Sequence, residues 1–269
     1  MIKQYFLLIS FLLITQFCYS QNNEQFHQLN NSKNWSLKFK DDGTENWKTK
    51  WFLDGLRAQV KNTKEGMVFS AGKIERNDSC HAVLWTKKSF KGTIKIEYNY
   101  TRKDSTTKWV NILYIQATGI GKTPYTTNIS KWNDLRKVPA MSTYYKNMKT
   151  LHISYAAYGS KNTDAKNDYI RVRQYPVLEG QNFNTSTEIN PAYFNTDLFI
   201  PNETYKITVI KTNTHLYFNV AGKNNSKLFT WKLPKNKVEE GRIGLRHMFT
   251  RSAQYYNFKV YTQKQSSIL

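Results

Sequence analysis

The sequence predicts an all-β protein, a jelly roll folded as a two-sheet β-sandwich, and three observations carry that expectation. Short runs alternate in polarity with period two, as where Ile94, Ile96, Tyr98 and Tyr100 oppose Lys95, Glu97 and Asn99. Turn signals such as Asp42-Gly43 and Asp54-Gly55 separate these runs, roughly a dozen in all. Helical spacing is confined to short segments, of which 129–136 is the clearest.

Taken in order, the chain opens with a segment outside the fold. Lys3 precedes an almost unbroken apolar run over 5–14, and Cys18-Tyr19-Ser20 before Gln21 fits a signal-peptidase site. Residues 1–20 therefore read as a signal peptide, and the protein as exported, periplasmic or extracellular. No later run approaches the roughly 20 apolar residues needed to cross a bilayer, so stable membrane insertion is not expected. Residues 21–269 read as one jelly-roll catalytic domain, because no linker, repeat or low-complexity tract divides them. Residues 21–34 read as a polar lead-in. Strands are expected at 35–39, around Met67-Val68-Phe69, at 81–85 and at 93–100. The run 109–117 is apolar on both faces and so central, with Asn111 and Gln116 as its polar exceptions. A long aromatic connection follows over 118–150, of the kind more often functional than idle. Strands return at 151–158 and 168–175. Residues 182–195 read as loop, then 204–211, 216–221, 228–233 and 255–261 complete the sheets. Without the leader, Cys80 is the only cysteine, so burial rather than a disulfide must supply stability.

The functional reading is organised by Gly241-Arg242-Ile243-Gly244-Leu245-Arg246-His247-Met248-Phe249-Thr250-Arg251. Ile243 and Leu245 point one way, and Arg242, Gly244 and Arg246 the other, with the glycine leaving room above the sheet for something bulky. Arginine suits bidentate capture of carboxylate or sulfate. The net charge is +21, or +20 once Lys3 is removed with the leader, and such a field attracts polyanions. Nucleic acid is not the expected partner, since the chain is exported and carries no nucleic-acid motif. An acidic, sulfated oligosaccharide is.

Hydrolysis by paired carboxylates finds little support, because Glu97 lacks a second acid at working spacing. The five histidines, His27, His81, His152, His215 and His247, form no close ligand pair, so neither metal nor cofactor is expected, with a structural calcium on loop carbonyls and aspartates left open. Elimination on a uronic acid suits the composition better. It needs a cation on the carboxylate, a base for the C5 proton and an acid for the oxygen leaving C4. His152, between Leu151 and Ile153, is the first candidate base or acid, sharing a face with Ser154 and Ala156. His81 is the second, on a face with Val83 and Trp85. Tyr144 and Tyr158 are the candidate opposing acids. Arg246, Arg171 and Arg173 are assigned to carboxylate and sulfate, with Gln116, Asn111, His247 and Trp85 as further substrate contacts. Each has a plain alternative as core residue or solvated face.

Five blocks carry a family likeness: Asp78-Ser79-Cys80-His81-Ala82-Val83-Leu84-Trp85, Asn111-Ile112-Leu113-Tyr114-Ile115-Gln116-Ala117-Thr118-Gly119, His152-Ile153-Ser154-Tyr155-Ala156-Ala157, Asp168-Tyr169-Ile170-Arg171 and Gly241-Arg242-Ile243-Gly244-Leu245-Arg246-His247-Met248. They resemble a bacterial family of concanavalin-A-like jelly-roll proteins, long classed as of unknown function and sited in polysaccharide-utilisation clusters. The likeness covers about 47–260. Within that family it lies nearest to the oligosaccharide dehydratases of ulvan breakdown. That resemblance implies removal of water across C4–C5 of a non-reducing-end uronate beside sulfated rhamnose, leaving an unsaturated uronate. A polysaccharide lyase using the same C5 proton abstraction, and a non-catalytic carbohydrate-binding module, are the alternatives.

Overall fold

Alternating apolar side chains build fifteen strands among the described residues of the computed structural model, which are 21–223, 225–235 and 238–264. The expected signal peptide lies outside them. Strands are numbered in chain order and pair into two antiparallel sheets. The first runs β13 (Ser226–Lys232), β12 (His215–Ala221), β11 (Thr204–Lys211), β6 (Ile94–Arg102), β15 (Ser252–Gln263), β4 (Gly66–Ser70) and β3 (Gln59–Thr63), with β1 (Trp35–Asp41) also on β15. The second runs β10 (Glu188–Phe194), β9 (Tyr169–Tyr175), β8 (Met148–Tyr158), β7 (Trp109–Gly119), β14 (Glu240–His247), β5 (Ala82–Lys91) and β2 (Trp51–Asp54). The two-sheet sandwich expected from the alternation is the one observed, and β7 is central in its sheet.

The sheets bury their facing sides against each other. Ile96, Ile207, Val209 and Phe218 of the first meet Leu113, Leu151, Ile153, Val172 and Leu245 of the second. Tyr155 lies in this layer, on the side away from His152, as parity requires. The outer side of the second sheet carries a smaller apolar cluster, including Val83, Trp85, Ile112 and Tyr114, covered by Ile129, Trp132 and Tyr144 from the long connection. Cys80 is buried beside Trp109 and Phe249 as a packed thiol.

Three local expectations are corrected. Residues 21–30 are helical rather than a loose lead-in, because Phe26 packs on Ile210 and Tyr217, whose hydroxyl donates to Gln25 Oε1 at 2.7 Å. The stretch 182–195, taken for loop, holds the short helix Phe183–Ser186 and edge strand β10; an edge position tolerates Pro191, which a central strand would not. A second short helix, Met141–Asn147, joins the expected helical segment Ile129–Arg136 in the connection. Bulges also reset parity. The register of β8 shifts after Ser154, where Ala156 has φ +45°, so Ala156 joins the inner core instead of His152 and Ser154.

Candidate functional site

Pairing lines up the outer face of the second sheet in two cross-strand rows. One reads Trp85, Gly244, Tyr114, His152 and Arg173 across β5, β14, β7, β8 and β9. The next reads Val83, Arg246, Ile112, Ser154 and Arg171 across the same strands. Residues more than 150 positions apart thus become neighbours. Gly244 makes the first row possible: a Cβ there would lie 2.4 Å from the Trp85 ring. The room expected above this glycine is therefore taken by the indole. Trp85 stacks on Tyr114 at 5.3 Å and 16°, and Tyr144 from the helix Met141–Asn147 stacks on Tyr114 at 6.0 Å and 2°.

Asp54, at the end of β2, fastens this stack. Its buried carboxylate accepts from Trp85 Nε1 at 2.7 Å, Tyr144 Oη at 2.9 Å, Arg136 Nε at 2.5 Å and also from Asn133 Nδ2. Burial pushes its pKa up, and the Arg136 charge with these donors opposes that rise. One carboxylate so ties the connection to the sheet and orients both aromatic faces.

Beside the stack, Arg246 Nη2 donates to His81 Nδ1 at 2.5 Å and to the Pro139 carbonyl at 2.6 Å, and the guanidinium lies 4.5 Å from the Tyr144 ring centre. Nδ1 accepts, so the imidazole proton sits on Nε2, which is 3.6 Å from Asp78 Oδ1. Burial, with the Arg246 charge behind it, pushes His81 down to about 2, leaving it neutral at ordinary pH. Four arginines are fully buried: Arg102, Arg136, Arg246 and Arg251. Arg102 and Arg251 reach Asp104, and Arg136 reaches Asp54. Arg246 has no carboxylate among the described residues, and its Nε and Nη1 are buried without a partner. A buried cation without a carboxylate partner is costly, and Arg246 is held here by His81 Nδ1 and the Pro139 carbonyl.

His152 is enclosed next door. Its Nδ1 is 2.6 Å from Tyr175 Oη and its Nε2 is 2.7 Å from Ser154 Oγ. Burial, then the charges of Arg173, Arg246 and Arg171, hold its pKa well below the usual histidine range. The neutral ring stands edge-on to Tyr114 at 5.7 Å. The Tyr114 hydroxyl makes no well-formed hydrogen bond, and burial raises its pKa while Arg246 opposes. Tyr144 is pushed well above the usual phenol range by burial and by Asp54, so it keeps its proton.

Of the sequence candidates, the structure brings together His152, His81, Tyr144, Trp85 and Arg246, with Arg171 and Arg173 at the margin. Arg171 lies 3.3 Å from Glu188 and is partly exposed. Arg173 is committed to the Phe183 and Asn184 carbonyls and Thr187 Oγ1. Four candidates fall elsewhere. Tyr158 accepts from Arg102 Nη1 at 2.9 Å, in the separate Asp104–Arg251 network, because the β8 bulge carries it away. Asn111 and His247 are register partners facing the inner core, where Asn111 bonds Tyr100 and His247 bonds Tyr255 at 2.7 Å and stacks on Phe69. Gln116 spends its amide on the Phe90, Gly92 and Glu239 carbonyls. Sequence reasoning missed Tyr114, Asp54 and Arg136. Tyr114 was masked by a run apolar on both faces, and Asp54 read as a turn residue.

Residues 43–260 match the family described as a domain of unknown function, DUF1961. The chain belongs to that family. No curated protein matches it. Among solved structures, a Bacillus subtilis protein of unknown function with a galectin-like fold superposes with a TM-score of 0.62 at 17% identity, over 86% of this chain and 99% of the other. Lectin II from Ulex europaeus gives 0.53 at 10% identity, over 82% and 96%. The exoplasmic/lumenal domain of VIP36, in a Ca2+/Man3GlcNAc-bound form, gives 0.52 at 10% identity, over 86% and 93%. These likenesses establish a lectin-like jelly-roll sandwich. Among the described residues no helix is long and apolar enough to cross a membrane.

Proposed function

We propose that this exported chain captures an acidic oligosaccharide, with Arg246 paired to a uronate carboxylate, and that capture serves removal of water across C4–C5 of that uronate. The observation that carries the reading is the fully buried Arg246, which lacks a carboxylate among the described residues where the other three such arginines have one. Charge on the substrate carboxylate would offset the Arg246 contribution to the depressed pKa values of His81 and His152, of which burial is the larger cause. His152 then takes the C5 proton, the electron pair forms the C4=C5 bond, and the C4 hydroxyl leaves as water with a proton from Tyr144. Arg246 opposes the enolate charge as it develops, and His81 holds the guanidinium in place. Because Tyr144 and Pro139 lie over Arg246, a sugar reaches it only as the connection around Met141–Asn147 moves aside.

A purely binding role is the second reading, favoured by one observation: both ring nitrogens of His152 already have partners. Incubation with uronate-terminated, sulfated oligosaccharides separates the two. Dehydration gives ultraviolet absorbance from the conjugated alkene and a product lighter by one water, with no second fragment. Two fragments would indicate a chain-cleaving lyase. Binding without new absorbance would remove the catalytic reading, and equal affinity for neutral oligosaccharides would remove the acidic ligand as well.

A further inference from the structure

Beyond the outer-face rows lies a trough that the Arg246 centre does not use. Its largest part, about 1040 Å³, lies between the end of β9, the start of β10 and the end of β13. A neighbouring hollow of about 520 Å³ shares Lys149 and Val238 with it and extends to Arg242. A third, of about 370 Å³, shares Arg242 and extends to Lys87. The first part alone reaches the upper end of the range of single small-molecule pockets, so the whole suits an extended chain better than one sugar.

Its charge is lopsided. Lys149, Lys232, Lys235, Arg242 and Lys87 line it, and none of them has a salt bridge among the described residues. Its acids are Glu188, Glu239 and Glu240, and Glu188 already faces Arg171 at 3.3 Å and Arg173 at 3.6 Å. The inner wall is Tyr175, whose hydroxyl is 2.6 Å from His152 Nδ1. One side chain therefore separates the trough from the enclosed centre.

We propose that this trough is a track for the anionic units of the chain whose terminal uronate pairs with Arg246. The identity of the ligand rests on the function proposed above; the shape and charge of the track do not. Removing two of its cations removes their share of counterion release and leaves the sandwich intact, because both side chains are exposed.

The test titrates ulvan, desulfated ulvan and a single-stranded DNA oligonucleotide against the protein at several salt concentrations. Wild type is compared with Lys149→Ala/Lys232→Ala and with the charge-reversed Lys149→Glu/Lys232→Glu. The alanine pair is expected to weaken ulvan binding on the order of 10-fold and to lower the slope of log K against log salt by roughly 1–2, with a larger loss for the glutamate pair. Desulfated ulvan is expected to bind more weakly than ulvan to wild type. Unchanged ulvan affinity and slope in both variants overturns the track. DNA bound as tightly as ulvan, and lost in the same variants, overturns the sugar assignment. Arg246→Ala, followed in parallel by alkene absorbance, separates the two readings. Absorbance lost in Arg246→Ala with normal ulvan binding in the lysine variants leaves the centre and removes the track. Weakened binding in the lysine variants with no alkene in any sample does the reverse.

Discussion

Replacing Asp54 by Asn is the most direct challenge to the way the site is held. The substitution keeps the shape of the side chain and removes its charge. Arg136, fully buried and 2.5 Å from Asp54 Oδ2, then has no anion. Breaking a buried pair from one side costs about 3–5 kcal/mol. The amide oxygen can still accept from Trp85 or Tyr144, which offsets about 1 kcal/mol of that loss. A net loss near 3 kcal/mol lowers the melting temperature of a domain this size by roughly 6–12 °C. Thermal unfolding by far-ultraviolet circular dichroism measures it, and the near-ultraviolet signal of the Trp85–Tyr114–Tyr144 stack should weaken alongside. Asp54→Leu/Arg136→Met, which removes both charges, should recover most of the lost stability. A melting temperature for Asp54→Asn within about 2 °C of wild type would refute the clamp.

Three further outcomes follow from the same geometry. Burial holds His81 at about 2 and His247 at about 3, with His152 well below 6.5, so their folded values lie under the unfolded one. Their stabilising effect is present above pH 6.5 and is lost as pH falls, by roughly 1.5–2 kcal/mol each for His81 and His247 between pH 6.5 and 5, with a loss of the same sign for His152. Asp54 and Asp168, raised by burial, act with the opposite sign above pH 3.8, but the histidines outnumber them. Urea unfolding at pH 7, 6 and 5 checks this, and a flat profile contradicts the buried neutral histidines. Gly244→Ala should displace the Trp85 ring, which a Cβ would meet at 2.4 Å, and destabilise by about 1–3 kcal/mol; unchanged tryptophan fluorescence and stability would argue against that contact. Tyr114→Phe should leave the melting temperature unchanged or higher, since it deletes a buried hydroxyl without a well-formed partner, whereas Tyr144→Phe, which removes the proposed acid, should slow alkene formation on the order of 100-fold. Full turnover in the Tyr144 variant would place Tyr144 outside the chemistry.

Period-two alternation determined much of this protein by itself, because the direction of a side chain from a strand is a local property of the backbone. It was enough to place Arg246, His152 and Trp85 on one side of their strands and Tyr155 on the other, while a run apolar on both faces put β7 at the centre and helical spacing marked the segment at 129–136. Period could not supply register, nor see past a bulge. The positive-φ residue Ala156 resets β8 and sends Tyr158 to Arg102. Strand parity already put His247 on the side of Ile243 and Leu245, and its register with Asn111 sets both polar residues in the core. Tyr114 became a member of the site only through its register with Gly244 and His152. Asp54 became its clamp only because chain folding brings in Trp85, 31 residues on, and Arg136, 82 residues on. Whether an arginine is solvated or buried without a counter-ion depends on what covers it, and that cover comes from a connection whose sequence has no periodicity to read.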